Sequence, residues 1–268
     1  MEQACFISGR HKGGIDTPFT FAHPLYALPV KAVRPRYLTV SGLILGSMSP
    51  DFEYFLALEP HQTIGHTIEG LFIQAIPLCV LFLILTHLCI RSFSSHLPSI
   101  AHLDVRAYQR IRLIDLRNYR NWLVFLLSVI VGFYSHLFVD AFTHESGYFV
   151  LRHSSLQSEI GAIPLYQLLQ YALSLIGLAV EFIWVTWMLF RTPVPTHAGS
   201  VKKIPWMSKI TYWAIVLLIA LGIVAAKLAW TTSTNTIGII VVAPISGVLA
   251  GIVVASLIHR KEIRIRST

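Results

Sequence analysis

The chain has 268 residues, of which 54% are hydrophobic and only 13% are charged, and it carries a net charge of +8. Soluble domains usually contain about 25% charged residues, so this composition excludes an ordinary soluble enzyme and predicts a membrane protein. The basic excess does not indicate nucleic-acid binding, because membrane topology and contacts with anionic lipids account for it.

Six apolar stretches decide the predicted architecture. Five of them have close to the ~20 residues that cross about 30 Å of hydrocarbon; these are 71–90, 122–142, 165–190, 211–229 and 237–258. The sixth, 37–58, is interrupted by Gly46, Pro50 and Asp51, which favours a hairpin arm or a re-entrant piece. The predicted fold class is therefore all-α: a polytopic helical membrane protein with five to six spanning helices and a short N-terminal helical hairpin.

The same pattern divides the chain into four segments. They are an N-terminal tail (1–16), a membrane-embedded domain (17–190), a basic loop (191–210) and a two-helix membrane hairpin with a basic tail (211–268).

Lysine and arginine are distributed unevenly between the two sides of the predicted bundle. The loops after the first and third spans and the tail after the fifth contain fourteen of them, whereas the opposite loops contain only Arg152. The positive-inside rule places the basic loops and the C-terminus in the cytoplasm. The opposite ends of the spans are then extracytoplasmic.

The N-terminal hairpin is predicted from two short helices, 24–34 and 36–47, which Pro35 separates by interrupting the backbone hydrogen-bond ladder. Folding the two arms together brings His23 to Asp51. Each arm of ~12 residues is about 18 Å long, too short to cross the membrane. The basic residues at the tip favour the alternative of a spanning segment, so the side of the N-terminus stays open.

The second span ends with three potential metal ligands at four-residue spacing, His136, Asp140 and His144. On an α-helix they lie within a stripe of roughly 80°. An ionisable residue inside a span costs several kcal/mol unless it is paired, metal-bound or facing water. We interpret the stripe as metal ligands; the alternative is a polar network between helices without metal.

Three further residues are predicted at the same membrane level: His66, which precedes the first span, together with Asp51 and His23. Each has a local alternative. Asp51 could cap a helix after Ser49 and Pro50, His66 could be an ordinary loop residue, and His23 could simply begin a helix before a proline.

The six residues form a mixed imidazole and carboxylate set, which suits zinc or another borderline divalent ion. Because six ligands exceed what one catalytic zinc needs, one or two ions are expected. Glu69 and Glu145 are the candidate catalytic carboxylates, able to orient imidazoles or accept protons, as is their acidic neighbour Glu53. Glu181, inside the third span, is expected to bond across helices or to join a proton path.

Four segments carry a resemblance to a known family: Thr17–Pro24, Gly46–Tyr54, Gly65–Phe72 and Ser135–His144. As a set they resemble an uncharacterised family of bacterial integral membrane proteins that usually begins Met-Pro-Phe-Thr-x-x-His-Pro.

The order of ligands is also similar to that in membrane-bound metal-dependent hydrolases of bacterial inner membranes and in zinc-dependent phospholipase C. The latter presents His, Asp, His and then His-x3-Asp-x5-His. The matching positions here are His23, Asp51, His66, His136 and Asp140, with His144 two residues earlier than in the phospholipase. A later His-x3-Glu pair of the phospholipase has no counterpart, since the nearest pattern is His153-x3-Gln157. The resemblance implies phosphoester hydrolysis at a multi-metal site.

The expected function is a metal-dependent hydrolase of the bacterial inner membrane that acts on phosphoesters of lipids or other amphiphiles at the extracytoplasmic face. The expected partners are membrane lipids and a lipid phosphoester substrate, with no nucleic acid. Two alternatives stay open: a transporter or proton-coupled protein that uses the His/Asp cluster as a relay, and a non-catalytic scaffold.

Overall fold

The computed structural model describes residues 20–194 and 204–260. The predicted tail 1–16 and parts of the basic loop and the basic C-terminal tail lie outside the described residues. The α-helices are α1 (His23–Ala27), α2 (Pro29–Val33), α3 (Val40–Met48), α4 (Phe52–Ala57), α5 (Ile68–Gly70), α6 (Ile76–His96), α7 (Leu103–Arg110), α8 (Tyr119–Thr143), α9 (Ser154–Gln157), α10 (Leu165–Phe190), α11 (Trp206–Trp230) and α12 (Thr236–Ile258). Short 3-10 helices occur at Thr20–Ala22, Ser49–Asp51 and Ile100–His102, a π-helical turn at Leu71–Ala75, and a two-stranded hairpin at β1 (Glu159–Ile160) and β2 (Ile163–Pro164).

The predicted all-α membrane fold is confirmed. Five helical segments are long and apolar enough to cross a membrane, and each contains one predicted span: Ile68–His96, Tyr119–Thr143, Leu165–Phe190, Trp206–Trp230 and Thr236–Ile258. The sixth apolar stretch is divided into α3, the 3-10 turn Ser49–Asp51 and α4, and the longest of these, α3, has nine residues, too few to span. Helix α3 is the second arm of the predicted N-terminal hairpin.

The first spanning segment contains a π-helical turn just before α6. The Ile76 N–H donates to the Leu71 carbonyl, five residues back rather than four. Pro77 explains the change, because it has no N–H to donate and its ring clashes with the carbonyl four residues earlier.

Helix α3 packs against α8 at a distance that requires glycine. A Cβ atom on Gly46 would overlap the Val129 backbone, and one on Gly132 would lie 2.6 Å from the Leu43 carbonyl oxygen. Small residues allow this close approach between membrane helices. The contact aligns the end of α3 with the last two turns of α8.

The C-terminal hairpin of α11 and α12 uses the same type of packing. A Cβ on Gly247 would lie 2.7 Å from Ala220 Cα, and one on Gly251 would lie 2.8 Å from Val216 Cα. An ion pair between Lys227 Nζ and Glu59 Oε1, 2.9 Å apart, joins this hairpin to the segment that follows α4. The hairpin is therefore held to the domain that contains the polar cluster described below.

We expect Gly46→Ala to lower the free energy of unfolding by about 1–3 kcal/mol, because the added methyl group forces α3 away from α8. Thermal unfolding in detergent, followed by circular dichroism, measures the change. Gly222→Ala in α11 is the matched control, since its added Cβ would meet nothing within 4 Å. Equal stability of Gly46→Ala and Gly222→Ala would contradict the proposed role of the glycine contact.

Candidate metal centre

The six residues predicted as metal ligands meet at the end of the bundle where the first spanning segment begins and α8 ends. The hairpin places His23, at the start of α1, beside the turn that carries Asp51, as predicted. The loop before α5 contributes His66, and the last two turns of α8 contribute His136 and Asp140.

Four of these side chains form a tight cage, which we call the inner cage: Asp51, His66, His136 and Asp140. His66 Nε2 lies 3.4 Å from both Asp51 Oδ1 and Asp140 Oδ2. His136 Nε2 lies 3.0 Å from Asp140 Oδ2 and 3.7 Å from Asp51 Oδ1, and the two Nε2 atoms are 3.2 Å apart. Ligand atoms bound at about 2.0–2.1 Å around a tetrahedral ion are separated by about 3.3–3.4 Å. The five distances among these donors, 3.0–3.7 Å, are therefore compatible with one small divalent cation, and His66, His136 and Asp140 form a group that could hold it.

His136 is held with Nε2 directed into the inner cage. Its ring is fully buried, and Nδ1 lies 2.7 Å from the Ser47 carbonyl oxygen in α3. A carbonyl oxygen only accepts, so Nδ1 carries a proton and donates to it, and this bond directs Nε2 towards the carboxylates. The His23 ring stacks on His136 with 3.8 Å between centroids.

The two carboxylates of the inner cage are buried and incompletely hydrogen-bonded. Asp51 is 0% exposed, and its Oδ2 accepts a 2.6 Å hydrogen bond from the Thr20 hydroxyl. Asp51 Oδ1 and Asp140 Oδ1 are buried and have no hydrogen-bond partner among the described residues. Burying such charged oxygens in an apolar bundle costs free energy unless a cation neutralises their charge.

The alternative that Asp51 caps a helix is wrong. Its backbone occupies the position before α4, but its side chain makes no capping hydrogen bond there. The carboxylate turns instead toward Thr20 and the imidazoles.

Glu53 fixes the loop that carries His66. Its carboxylate accepts hydrogen bonds from the Thr63 hydroxyl, from Thr63 N (2.6 Å) and from Ile64 N (3.0 Å). Burial alone would raise the pKa of Glu53, but these hydrogen bonds outweigh it and lower the pKa. A Cβ on Gly65 would overlap the Pro50 carbonyl oxygen, so glycine lets this loop lie directly on the turn before Asp51.

Two further groups beside the inner cage have shifted pKa values. Burial lowers the pKa of His23 well below its usual range, and the nearby His136 lowers it further, so its imidazole is neutral near pH 7. Burial and then the Asp51 and Asp140 carboxylates raise the pKa of the Tyr54 phenol. Tyr54 therefore keeps its proton and remains a hydrogen-bond donor at the site.

His144 lies at the edge of the cluster and faces an open cleft. Its Nδ1 is 3.5 Å from Asp140 Oδ1, and its Nε2 is 3.3 Å from Gln170 Nε2 in α10. The cleft lies between α1, α8 and α10. Its lining includes His23, Asp140 and His144, and also Tyr26, Thr143, Gln170 and Ser174.

The predicted catalytic carboxylates are on the surface. Glu69 lies exposed in the first turn of α5, and Glu145 lies exposed directly after His144. Glu181, in α10, has a buried Oε1 with no hydrogen-bond partner among the described residues.

Sequence reasoning missed four polar groups beside the cluster: the Thr20 hydroxyl, the Ser47 carbonyl, the Tyr54 phenol and the Gln170 amide. Thr20 lies three residues before His23 and Tyr54 three residues after Asp51, so proximity to predicted ligands was a usable signal. The Ser47 carbonyl gave no signal in the sequence, because every residue has a backbone carbonyl.

We expect Glu53→Ala to destabilise the His66 loop by about 1–3 kcal/mol, because Thr63 and Ile64 lose a charged acceptor. Hydrogen exchange of residues 61–67 should become faster than in the wild type. Glu159→Ala, which removes an exposed carboxylate in β1, is the control and should leave this exchange unchanged. Unchanged exchange in Glu53→Ala would show that Glu53 does not hold the loop.

Comparison with known proteins gives a family without an assigned activity. No curated protein and no solved structure matches the chain. One family model, described as Domain of unknown function (DUF4184), matches residues 17–257, which include the hairpin, the polar cluster and the five spanning segments except for the last residue of the fifth. The chain therefore belongs to the DUF4184 family.

Proposed function

We propose that this protein is a metal-dependent membrane hydrolase that cleaves phosphoesters of lipids or other amphiphiles at the extracytoplasmic face of the bacterial inner membrane. The observation that carries the proposal is the inner cage, in which two imidazole nitrogens lie 3.0–3.7 Å from two buried carboxylate oxygens. A packing network between helices needs hydrogen-bond donors for its carboxylates, whereas this cage leaves buried oxygens without them.

The donor set supports zinc or a similar divalent ion. The donors are nitrogen and oxygen atoms 3.0–3.7 Å apart. The described cysteines, Cys79 and Cys89, are buried on α6 and lie away from the predicted ligands in sequence. Asp51, His66, His136 and Asp140 would hold the ion. A bound ion of this kind lowers the pKa of water and stabilises negative charge on a phosphoryl oxygen.

The chain's own residues supply positioning and proton transfer. The protonated Tyr54 phenol can donate to a substrate oxygen beside Asp51 and Asp140. Glu69, three residues after His66, and Glu145, directly after His144, are the proposed proton acceptors, since both follow a cluster residue closely in the chain.

The location of the polar cluster at one end of the spanning helices supports an amphiphilic substrate. The positive-inside rule assigns the cluster to the extracytoplasmic side, because the ends of the spans opposite to it carry the lysines and arginines. The cleft is bordered by α10, whose side chains Leu175 and Ile176 are 72% and 53% exposed and suited to contact with lipid. A headgroup could reach the cleft while its acyl chains stay in the bilayer.

We expect purified wild-type protein to contain zinc or manganese and to hydrolyse a phosphodiester presented in mixed micelles. His66→Ala and His136→Ala should each lose the inner-cage ion and reduce hydrolysis more than about 100-fold, because each removes an imidazole ligand. Mass spectrometry measures the metal content, and chromatography of the alcohol and phosphomonoester products measures hydrolysis.

His61→Ala removes an exposed loop histidine and is the matched control for both variants. His66 is the safer test of the site, since the buried His136 also bonds α3 to α8. A folded wild type that binds no metal after reconstitution would contradict the hydrolase. Flux across liposomes that depends on the same histidines, without hydrolysis, would favour the transporter alternative.

A further inference from the structure

The N-terminal hairpin extends from the polar cluster more than half-way along α8. Where α3 begins, the Thr39 N–H donates to Ser128 Oγ at 2.7 Å, and where α3 ends, the Ser47 carbonyl oxygen lies 2.7 Å from His136 Nδ1. The two helices therefore run in the same direction. Ser128 is nine residues, or about 14 Å, from the start of α8 and fifteen residues from its end. Residues 33–37, which we call the hairpin tip, thus point away from the cluster, towards the start of α8.

The distribution of basic residues assigns the membrane surface that the hairpin tip approaches. The positive-inside rule assigns the start of α8 to the cytoplasmic side, because the segment 91–120 contains six arginines. Arg34 and Arg36 of the hairpin tip are directed to that same side, whereas the two arms begin and end beside the polar cluster. A hairpin that enters from the extracytoplasmic side and returns to it combines arms too short to span with a basic tip.

The hairpin tip presents positive charges that the protein itself does not neutralise. Arg34 and Arg36 are exposed, and neither guanidinium has a hydrogen-bond or ion-pair partner within the part of the chain that the structure describes. The nearby Lys31 is already engaged, because its Nζ donates to two carbonyl oxygens of the turn, at 2.6 and 3.1 Å. No aspartate or glutamate occurs in positions 17–50. The partner of the two arginines must therefore come from outside the hairpin.

Apolar side chains flank these two arginines. Val33 is 71% exposed and Tyr37 is 60% exposed. Tyrosine is enriched where the membrane meets water, and long basic side chains beside apolar surface extend their charged ends to the headgroup layer. A guanidinium binds phosphate through two parallel hydrogen bonds. The hairpin tip therefore suits a partner that carries an anionic phosphate at one end and is apolar at the other.

We propose that Arg34 and Arg36 bind the phosphate groups of anionic phospholipids in the cytoplasmic leaflet and thereby anchor a re-entrant hairpin by its tip. The negative surface potential of that leaflet attracts basic segments. Soluble phosphate offers the same anion but lacks the acyl chains that Val33 and Tyr37 would contact.

Anchoring the hairpin tip bears on the polar cluster, because the same hairpin starts at His23 and is followed directly by the turn that carries Asp51. Lipid binding at the tip requires neither a metal ion nor hydrolysis, so it is independent of the proposed function.

The test is native mass spectrometry of full-length protein in detergent with phosphatidylglycerol or phosphatidylcholine. We expect the wild type to retain phosphatidylglycerol and the double variant Arg34→Ala/Arg36→Ala to bind it about 10–30-fold more weakly, the effect of two cations near a membrane surface. Arg117→Ala/Arg120→Ala removes two exposed arginines near the start of α8 and is the matched control, which should keep the wild-type affinity. Thermal unfolding shows that both double variants are folded.

Hydrogen exchange locates the bound lipid on the chain. Phosphatidylglycerol should slow the exchange of residues 30–37 in the wild type, because the bound lipid restricts opening of this turn. It should leave the exchange of the same residues unchanged in Arg34→Ala/Arg36→Ala.

The contrary results are equally defined. Equal weakening in both double variants, or equal retention of phosphatidylcholine by the wild type, overturns the site at the hairpin tip. Release of phosphatidylglycerol by an equal concentration of inorganic phosphate overturns the lipid as the ligand. Specific lipid binding by a wild type that holds no metal leaves this inference standing while the proposed function fails.

Discussion

Helix α3 and helix α8 approach each other so closely that glycine is needed on both, at Gly46 and at Gly132. Because backbone meets backbone there, the register between the two helices is fixed with little freedom. Ser47, the residue after Gly46, then presents its carbonyl to His136, and the following turn carries Asp51 to the same place. The geometry of the polar cluster thus depends on main-chain packing rather than on flexible side chains.

The cluster is ionisable, whereas the helix bundle around it is apolar. Two carboxylates lie buried at one end of an apolar bundle, and one oxygen of each lacks a hydrogen bond among the described residues. The imidazoles around them relieve only part of that free-energy cost, because one oxygen of each carboxylate still has no hydrogen-bond partner among the described residues. A divalent cation would relieve more of it, and its binding would stabilise the folded protein by mass action.

Helix α10 forms the wall of the cleft and is the least enclosed of the helices around the cluster. Of its most apolar 18-residue segment, 11% is buried, compared with 33% of the corresponding segment in α8. Close contact of Gly177 with Ala22 and a 2.6 Å hydrogen bond from the Tyr26 hydroxyl to the Leu173 carbonyl hold it to the N-terminal hairpin. The rigid side of the cluster is therefore α3 and α8, and the side open to the membrane is α10.

The sequence by itself determined the five spans, the break at Pro35 and the stripe of His136 and Asp140, because apolar transfer and helical periodicity act on each segment alone. It brought His23 and Asp51 together only through a hairpin argument and a family resemblance, and its capping alternative for Asp51 was wrong. The tertiary structure decided the partners: the Ser47 carbonyl, Thr20, Tyr54 and Gln170. Those contacts depend on the register between helices distant in the chain, which is set by glycine packing and has no local signature.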